Sequence, residues 1–182
     1  MVESMNNRAP ESKLTLVLIA GMPGAGKTTL ALMPGRSLGW PVIDKDTLKS
    51  PMLIKGISND LAGPASYALM FELADDLLIR QYLSAILDSP GRFPFVLDRV
   101  QTISAQAGAA LKVIRCVASR ELHEQRLVTR VARPSQWITN ADRTLTDEQE
   151  RAMFAHLPPD TLVVDSGLPF ERCLAESLAY IR

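Results

Sequence analysis

Apolar residues fall along this chain in short unbroken runs, separated by longer stretches of mixed polarity. Runs rich in Val, Ile and Leu occupy Leu14–Ala20, Val42–Asp44, Phe93–Leu97, Val113–Val117 and Leu162–Val164. They are continuous rather than alternating, the pattern of strands covered on both faces. The intervening stretches predict helices. One runs from Gly63 to about Ser89, with Pro64 in its first turn and an apolar stripe of Leu69, Leu73 and Leu77 flanked by Met70, Ala74 and Leu78. Ser89-Pro90-Gly91 ends it. Ser119 is placed to cap a second helix reaching Arg130 and stopping before Arg133-Pro134. Thr146-Asp147-Glu148 opens a third, closed near Leu157 by Pro158-Pro159, and a last helix follows Pro169. Strands alternating with helices predict βαβ units and a parallel sheet, hence an α/β sandwich of three layers.

Composition narrows the class. The 182 residues are 47% hydrophobic and 22% charged, with 20 Lys+Arg balancing 20 Asp+Glu. Such values exclude a disordered chain, a collagen and a coiled coil. The length predicts a single domain over residues 13–182, after a polar, aperiodic tail at 1–12. Zero net charge argues against a broad basic field for nucleic acid. Cys116 and Cys173 are far apart in apolar surroundings, and His123 and His156 stand alone, so neither a disulfide framework nor a metal cluster is expected. The histidines read as solvated helix residues. No apolar segment near the start resembles a signal peptide, and none approaches the span of a bilayer. These features fit a reduced, cytoplasmic protein without membrane contact.

The strongest chemical signal is Gly21-Met22-Pro23-Gly24-Ala25-Gly26-Lys27-Thr28, a full G-x-x-x-x-G-K-[ST] match between a predicted strand and a predicted helix. Its glycines let main-chain N–H groups wrap a phosphate, and the helix N-terminus adds its positive dipole end. Residues Gly21 to Thr29 are therefore the candidate binding loop for a nucleoside triphosphate. Lys27 is expected to bridge the β- and γ-phosphates and Thr28 to ligate Mg²⁺. Pro34 is expected to end or kink the following helix after little more than two turns. No N-K-x-D base-reading motif is present, which argues against a GTPase.

GMPGAGKTTLA, followed after a short strand by Asp46-Thr47-Leu48-Lys49, resembles the small P-loop kinases, a group that includes chloramphenicol phosphotransferase, zeta toxins and polynucleotide 5′-kinase domains. The resemblance implies a P-loop NTPase fold, with a five-stranded parallel sheet, the P-loop strand central and helices on both faces. It implies ATP and Mg²⁺ as cofactors. Asp46 fits the D-x-h-[RK] pattern after strand two and becomes the candidate base that takes a hydroxyl proton, with Asp44 as its rival. Lys49 falls where the group usually has Arg, and is a candidate contact to the acceptor. Phe95-Val96-Leu97-Asp98 reads as a strand ending in a carboxylate, so Asp98 joins Thr28 as a candidate metal residue, with Arg99 at the cleft mouth. In these kinases a lid after strand four brings arginines onto the transferred phosphoryl group. Here that segment is roughly 126–145, and its candidates are Arg126, Arg130 and Arg133. Trp137 is a candidate for stacking on a ring, and Asp165-Ser166-Gly167 for bordering the adenine.

The expected reaction is ATP- and Mg²⁺-dependent phosphotransfer to a hydroxyl of a small molecule, bound near Arg99 and over a helix start carrying Ser66, Tyr67 and Met70. Two alternatives stay open. A polynucleotide 5′-kinase would use Lys45, Lys49, Lys55 and Arg99 as a positive track. A regulatory ATP-binding module would not phosphorylate an acceptor at all.

Overall fold

The computed structural model describes residues 13–131, 133–136 and 145–182. The expected tail at 1–12, Trp137 and most of the second half of the expected lid lie outside these residues. Five parallel strands form one sheet in the order β2-β3-β1-β4-β5. They are β1 (Thr15–Ala20), β2 (Val42–Asp44), β3 (Ala85–Asp88), β4 (Ala110–Val117) and β5 (Leu162–Asp165). The helices are α1 (Lys27–Leu38), α2 (Lys45–Ile54), α3 (Asn59–Asp75), α4 (Pro94–Ala107), α5 (Arg120–Thr129), α6 (Asp147–Met153) and α7 (Phe170–Ile181). β1 is central, pairing Val17 with Ile86 of β3 on one side and Lys112 of β4 on the other.

The unbroken apolar run of β1 is explained by burial on both faces. Leu16 and Leu18 enter a core with Tyr67, Met70 and Phe71 of α3 and Val96, Val100 and Ile103 of α4. Val17 and Ile19 enter the opposite core with Leu30, Ala31 and Met33 of α1 and Cys173 and Ile181 of α7. Helices therefore cover both faces, as the three-layer reading expects. The sheet's C-terminal edge is left open, and β1, β2, β3 and β5 all deliver their last residues there.

Two expected elements are corrected. The long helix from Gly63 to Ser89 is instead α3, a π-helical turn at Asp76–Arg80, and then β3. Tyr82 stops the helix in the left-handed region at φ 53, and the Leu83 amide closes back onto the Leu77 carbonyl at 2.9 Å. That stop is normally made by glycine, so a tyrosine in the position gives no sequence cue. The expected strand Phe93–Leu97 is the first turn of α4. Pro94 sits at its first position and Val96, Val100 and Ile103 form its buried stripe. Nor does Pro34 end α1, which runs on to Leu38 and closes on Gly39 at φ 70. Proline removes one helical hydrogen bond there, while Leu30, Ala31 and Met33 keep the helix packed on the sheet.

Two helical glycines separate packing from propensity. A Cβ on Gly35 would lie 2.5 Å from Val42 Cγ2, whereas one on Gly63 would meet nothing within 4 Å. Gly35→Ala is expected to lower stability by about 1–3 kcal/mol through overpacking. Gly63→Ala is expected to raise it by about 0.5–1 kcal/mol through helix propensity. Urea unfolding of both variants reads the two signs.

Candidate active site

At the end of β1 the chain turns through Gly21, Gly24 and Gly26, whose φ values of 146, 87 and 93 are open to glycine alone without strain. The Gly21 amide donates to the Pro90 carbonyl at 3.0 Å, tying the turn to the loop after β3. Its carbonyls are held from behind. Ala25's accepts from Ser166 Oγ at 2.6 Å, Cys116 Sγ at 2.9 Å and Arg126 Nη1 at 3.3 Å. The Pro23 carbonyl meets the His123 ring. With carbonyls engaged behind, the first-turn amides of α1 have no acceptor within their own helix. They border a cleft of about 1470 Å³.

Carboxylate and cation groups from several elements define that cleft. Asp88, the last residue of β3, accepts from Thr28 Oγ1 at 2.6 Å. Lys27 folds back on the Met22 carbonyl at 2.9 Å. Burial depresses the Lys27 ammonium below its ordinary value, opposed chiefly by Asp88. Burial pushes the Asp88 carboxyl up to about 6, against the pull of Lys27 and the Thr28 hydrogen bond. Across the cleft, Asp44 caps α2 by accepting from the Asp46 amide at 2.8 Å and the Thr47 hydroxyl at 2.9 Å. Arg133 Nη1 donates to the same carboxylate at 2.7 Å. Asp46 is left free of capping duty: its buried Oδ1 lies 3.2 Å from Lys45 Nζ and completes no hydrogen bond.

A family sequence model described as an AAA domain matches residues 16–159, which include the P-loop turn, β3 and most of the cleft. The chain belongs to the AAA domain family. No curated protein sequence matches it. Among solved structures, a presumed kinase of Chloroflexus aurantiacus aligns over 94% of this chain and 100% of its own, with 21% identity and a TM-score of 0.72. The APS kinase of Mycobacterium tuberculosis, solved with AMPPNP and APS, aligns over 92% and 97%, with 16% identity and a TM-score of 0.64. Shikimate kinase of Aquifex aeolicus aligns over 90% and 94%, with 20% identity and a TM-score of 0.55. The fold of this AAA domain is thus that of the small P-loop kinases.

Most sequence candidates of the AAA domain reach its cleft. Pro23, Gly24, Gly26, Lys27, Thr28, Thr29, Asp46, Lys49, Tyr67, Arg126, Arg130 and Arg133 line it. Gly21, Met22 and Ala25 form the turn without lining the cavity. Asp98 is a correction: it is exposed on α4, a full turn past the helix start, because the strand expected there is helical. Asp88 holds the strand-end position instead. Arg99 shares that helix and is likewise absent from the lining, while Ser66 and Met70 are buried in α3 with no cleft exposure. The three lid arginines differ in state. Arg126 is committed to Ser166, at 2.7 and 2.9 Å, and Arg133 to Asp44 and Thr47. Arg130, at the end of α5, donates to the Gln136 carbonyl at 3.2 Å and keeps a buried Nε with no partner. Both histidine readings are corrected as well. His123 rests on the P-loop, and His156 faces the Gly91 carbonyl at 3.1 Å from the turn after α6.

The raised Asp88 carboxyl makes a signed forecast. Its proton is held from about pH 4 to about 6 in the folded chain but is lost near 3.8 in the unfolded one. Ionisation therefore costs stability as pH rises through that window. The neutral isostere Asp88→Asn is expected to be more stable than the parent by about 1–3 kcal/mol at pH 8 and equal to it at pH 4. Urea unfolding at the two pH values measures the difference.

Proposed function

We propose that the protein is an ATP- and Mg²⁺-dependent phosphotransferase that moves the γ-phosphate to a hydroxyl of a small-molecule acceptor. The observation carrying this reading is the placement of Asp46. Asp46 lines the cleft together with Lys27 and the Thr28–Asp88 pair, and its buried Oδ1 sits beside the Lys45 ammonium and completes no hydrogen bond. A carboxylate that neither caps its helix nor completes a hydrogen bond is available to accept a proton. Asp44 has taken the capping role.

The donor fits the turn. Glycine conformations at Gly24 and Gly26 leave main-chain amides for the phosphates, and a Cβ on Gly24 would run into His123 and Leu127. The metal fits the oxygen pair. Thr28 and Asp88 supply hard oxygen ligands, and Asp88 is a buried carboxylate without full compensation, which a divalent cation would satisfy. Among the described residues no group of three or more His, Cys, Asp or Glu could hold a metal by itself, in keeping with Mg²⁺ sharing its shell with phosphates and water. When bound, Mg²⁺ neutralises charge on the phosphate oxygens. Lys27 exchanges the Met22 carbonyl for the β- and γ-phosphates. Arg130 turns its guanidinium to the equatorial oxygens of the transferred group, and Asp46 takes the acceptor proton as the new P–O bond forms.

The named substrates of APS kinase and shikimate kinase support a small acceptor for this fold. A polynucleotide acceptor has less support, because only Lys45 and Lys49 of its four expected cations line the cleft. Transfer of labelled γ-phosphate to a panel of hydroxyl compounds tests the reading. Asp46→Asn is expected to slow transfer by about 10²-fold or more while ATP affinity changes little. A variant transferring at the parent rate, or a parent that transfers to no acceptor and only hydrolyses ATP, would contradict it.

A further inference from the structure

The acceptor side of the cleft holds an aromatic chamber that the transfer chemistry itself does not require. Tyr67 and Phe71 project from α3, and Phe93 and Phe95 from the start of α4. The Tyr67 and Phe95 rings meet edge to face at 5.1 Å, Phe93 and Phe95 stack at 5.8 Å, and Phe71 stacks on Tyr67 at 6.1 Å. All four line the cleft, with Pro64 and Ala68 extending the apolar wall. Phe93 and Phe95 remain 38% and 48% exposed. Two adjacent phenylalanines facing a cavity rather than the core are the signature of a surface that a ligand covers.

The deep end of the chamber is polar. Tyr67 and Ser89 are only 8% and 1% exposed, and their hydroxyls neighbour each other. Asp46 carries a third buried oxygen, Oδ1, near enough to act on the Tyr67 hydroxyl. The Lys45 ammonium links this end to the rings, lying 3.2 Å from Asp46 Oδ1 and 5.4 Å from the Tyr67 ring centre. The base and the chamber are therefore within reach of one small molecule. These polar oxygens, gathered at one end of an apolar wall, mark where a ligand's polar group would bond.

Resting on the kinase reading above, we infer that the acceptor is an alcohol with an aromatic ring a few bonds from its hydroxyl, rather than a sugar or other polyol. The ring lies against Phe93, Phe95 and Tyr67, and the hydroxyl sits among Asp46, Tyr67 and Ser89. On transfer, the acceptor oxygen bonds the γ-phosphorus, the bond from that phosphorus to the β–γ bridging oxygen breaks, ADP leaves and Asp46 receives the proton. A polyol would press its hydroxyls on phenylalanine faces that offer no partner. An aryl body instead gains area burial and ring–ring contact.

The test uses the full chain saturated with Mg²⁺ and a non-hydrolysable ATP analogue, so that no probe reads the donor site. Binding of benzyl alcohol, 2-phenylethanol, adenosine and thymidine is compared with that of glucose, gluconate and inositol by ligand-observed NMR titration. Ring-bearing alcohols are expected to bind at least about tenfold more tightly than the polyols. Phe95→Ala is expected to remove most of that preference, with an unchanged thermal melt by circular dichroism showing that it folds. Tyr67→Phe is expected to weaken the same ligands while leaving the preference for rings. Simple aryl alcohols and nucleosides separate two sources of the same ring chemistry, and binding by either supports the inference. Equal binding of polyols, indifference to Phe95→Ala, or no binding by any ring-bearing alcohol would overturn it. Repeating the panel with labelled ATP keeps the two claims apart. Transfer to polyols unaffected by Phe95→Ala would overturn the aromatic acceptor and leave the kinase. Ring-dependent binding with transfer to nothing would remove the kinase and leave the chamber.

Discussion

The structure depends on a turn that points its carbonyls backward. Between β1 and α1 the carbonyl of Ala25 is held by Ser166, Cys116 and Arg126, while that of Pro23 meets His123. These contacts join the turn to β4, to α5 and to the loop after β5. The amides of the first helical turn are thereby set toward the cleft before any ligand arrives, which is the preorganisation that anion binding at a helix N-terminus needs. Cys116 belongs to this support. Its thiol is pushed up to about 11 by burial, so it acts as a neutral donor beneath the loop rather than as a nucleophile.

The same end of the sheet carries charge that the protein alone does not balance. Burial disfavours the ionised forms of both Lys27 and Asp88, although they attract each other. A phosphate beside the one and a cation beside the other would relieve both. On the opposite wall, two carboxylates two residues apart have divided their work. Asp44 absorbs the α2 cap and Arg133, and Asp46, beside the Lys45 ammonium, takes no part in the cap. Sequence distance does not separate them; the helix boundary does.

Much of this is legible in the sequence. A glycine turn between an apolar run and a helix start is local chemistry, and β1, β2, β5 and the start of α1 fall where the sequence places them, while β4 covers its run and begins earlier, at Ala110. The Asp46 position was legible for the same reason, since a strand end followed by a helix start is local too. What escaped the sequence was non-local or ambiguous. Ala85-Ile86-Leu87 is apolar on both faces, and after the stripe of α3 it reads as one more helical turn. The chain break comes from Tyr82 in a conformation usually left to glycine. Misplacing β3 moved the strand-end carboxylate from Asp88 to Asp98 and the cleft arginine from Arg92 to Arg99. The aromatic chamber is hidden in the sequence because the run Phe93–Leu97 reads as a strand, although Pro94 within it marks a helix start.

We propose that the turn and the Thr28–Asp88 pair together hold a magnesium-bound triphosphate. Calorimetric titration of the protein with ATP, with and without Mg²⁺, addresses it most directly. A single site is expected, at least about tenfold weaker without the metal and weakened comparably in Asp88→Asn. Absence of heat under either condition, or an affinity indifferent to both Mg²⁺ and Asp88, would contradict the account.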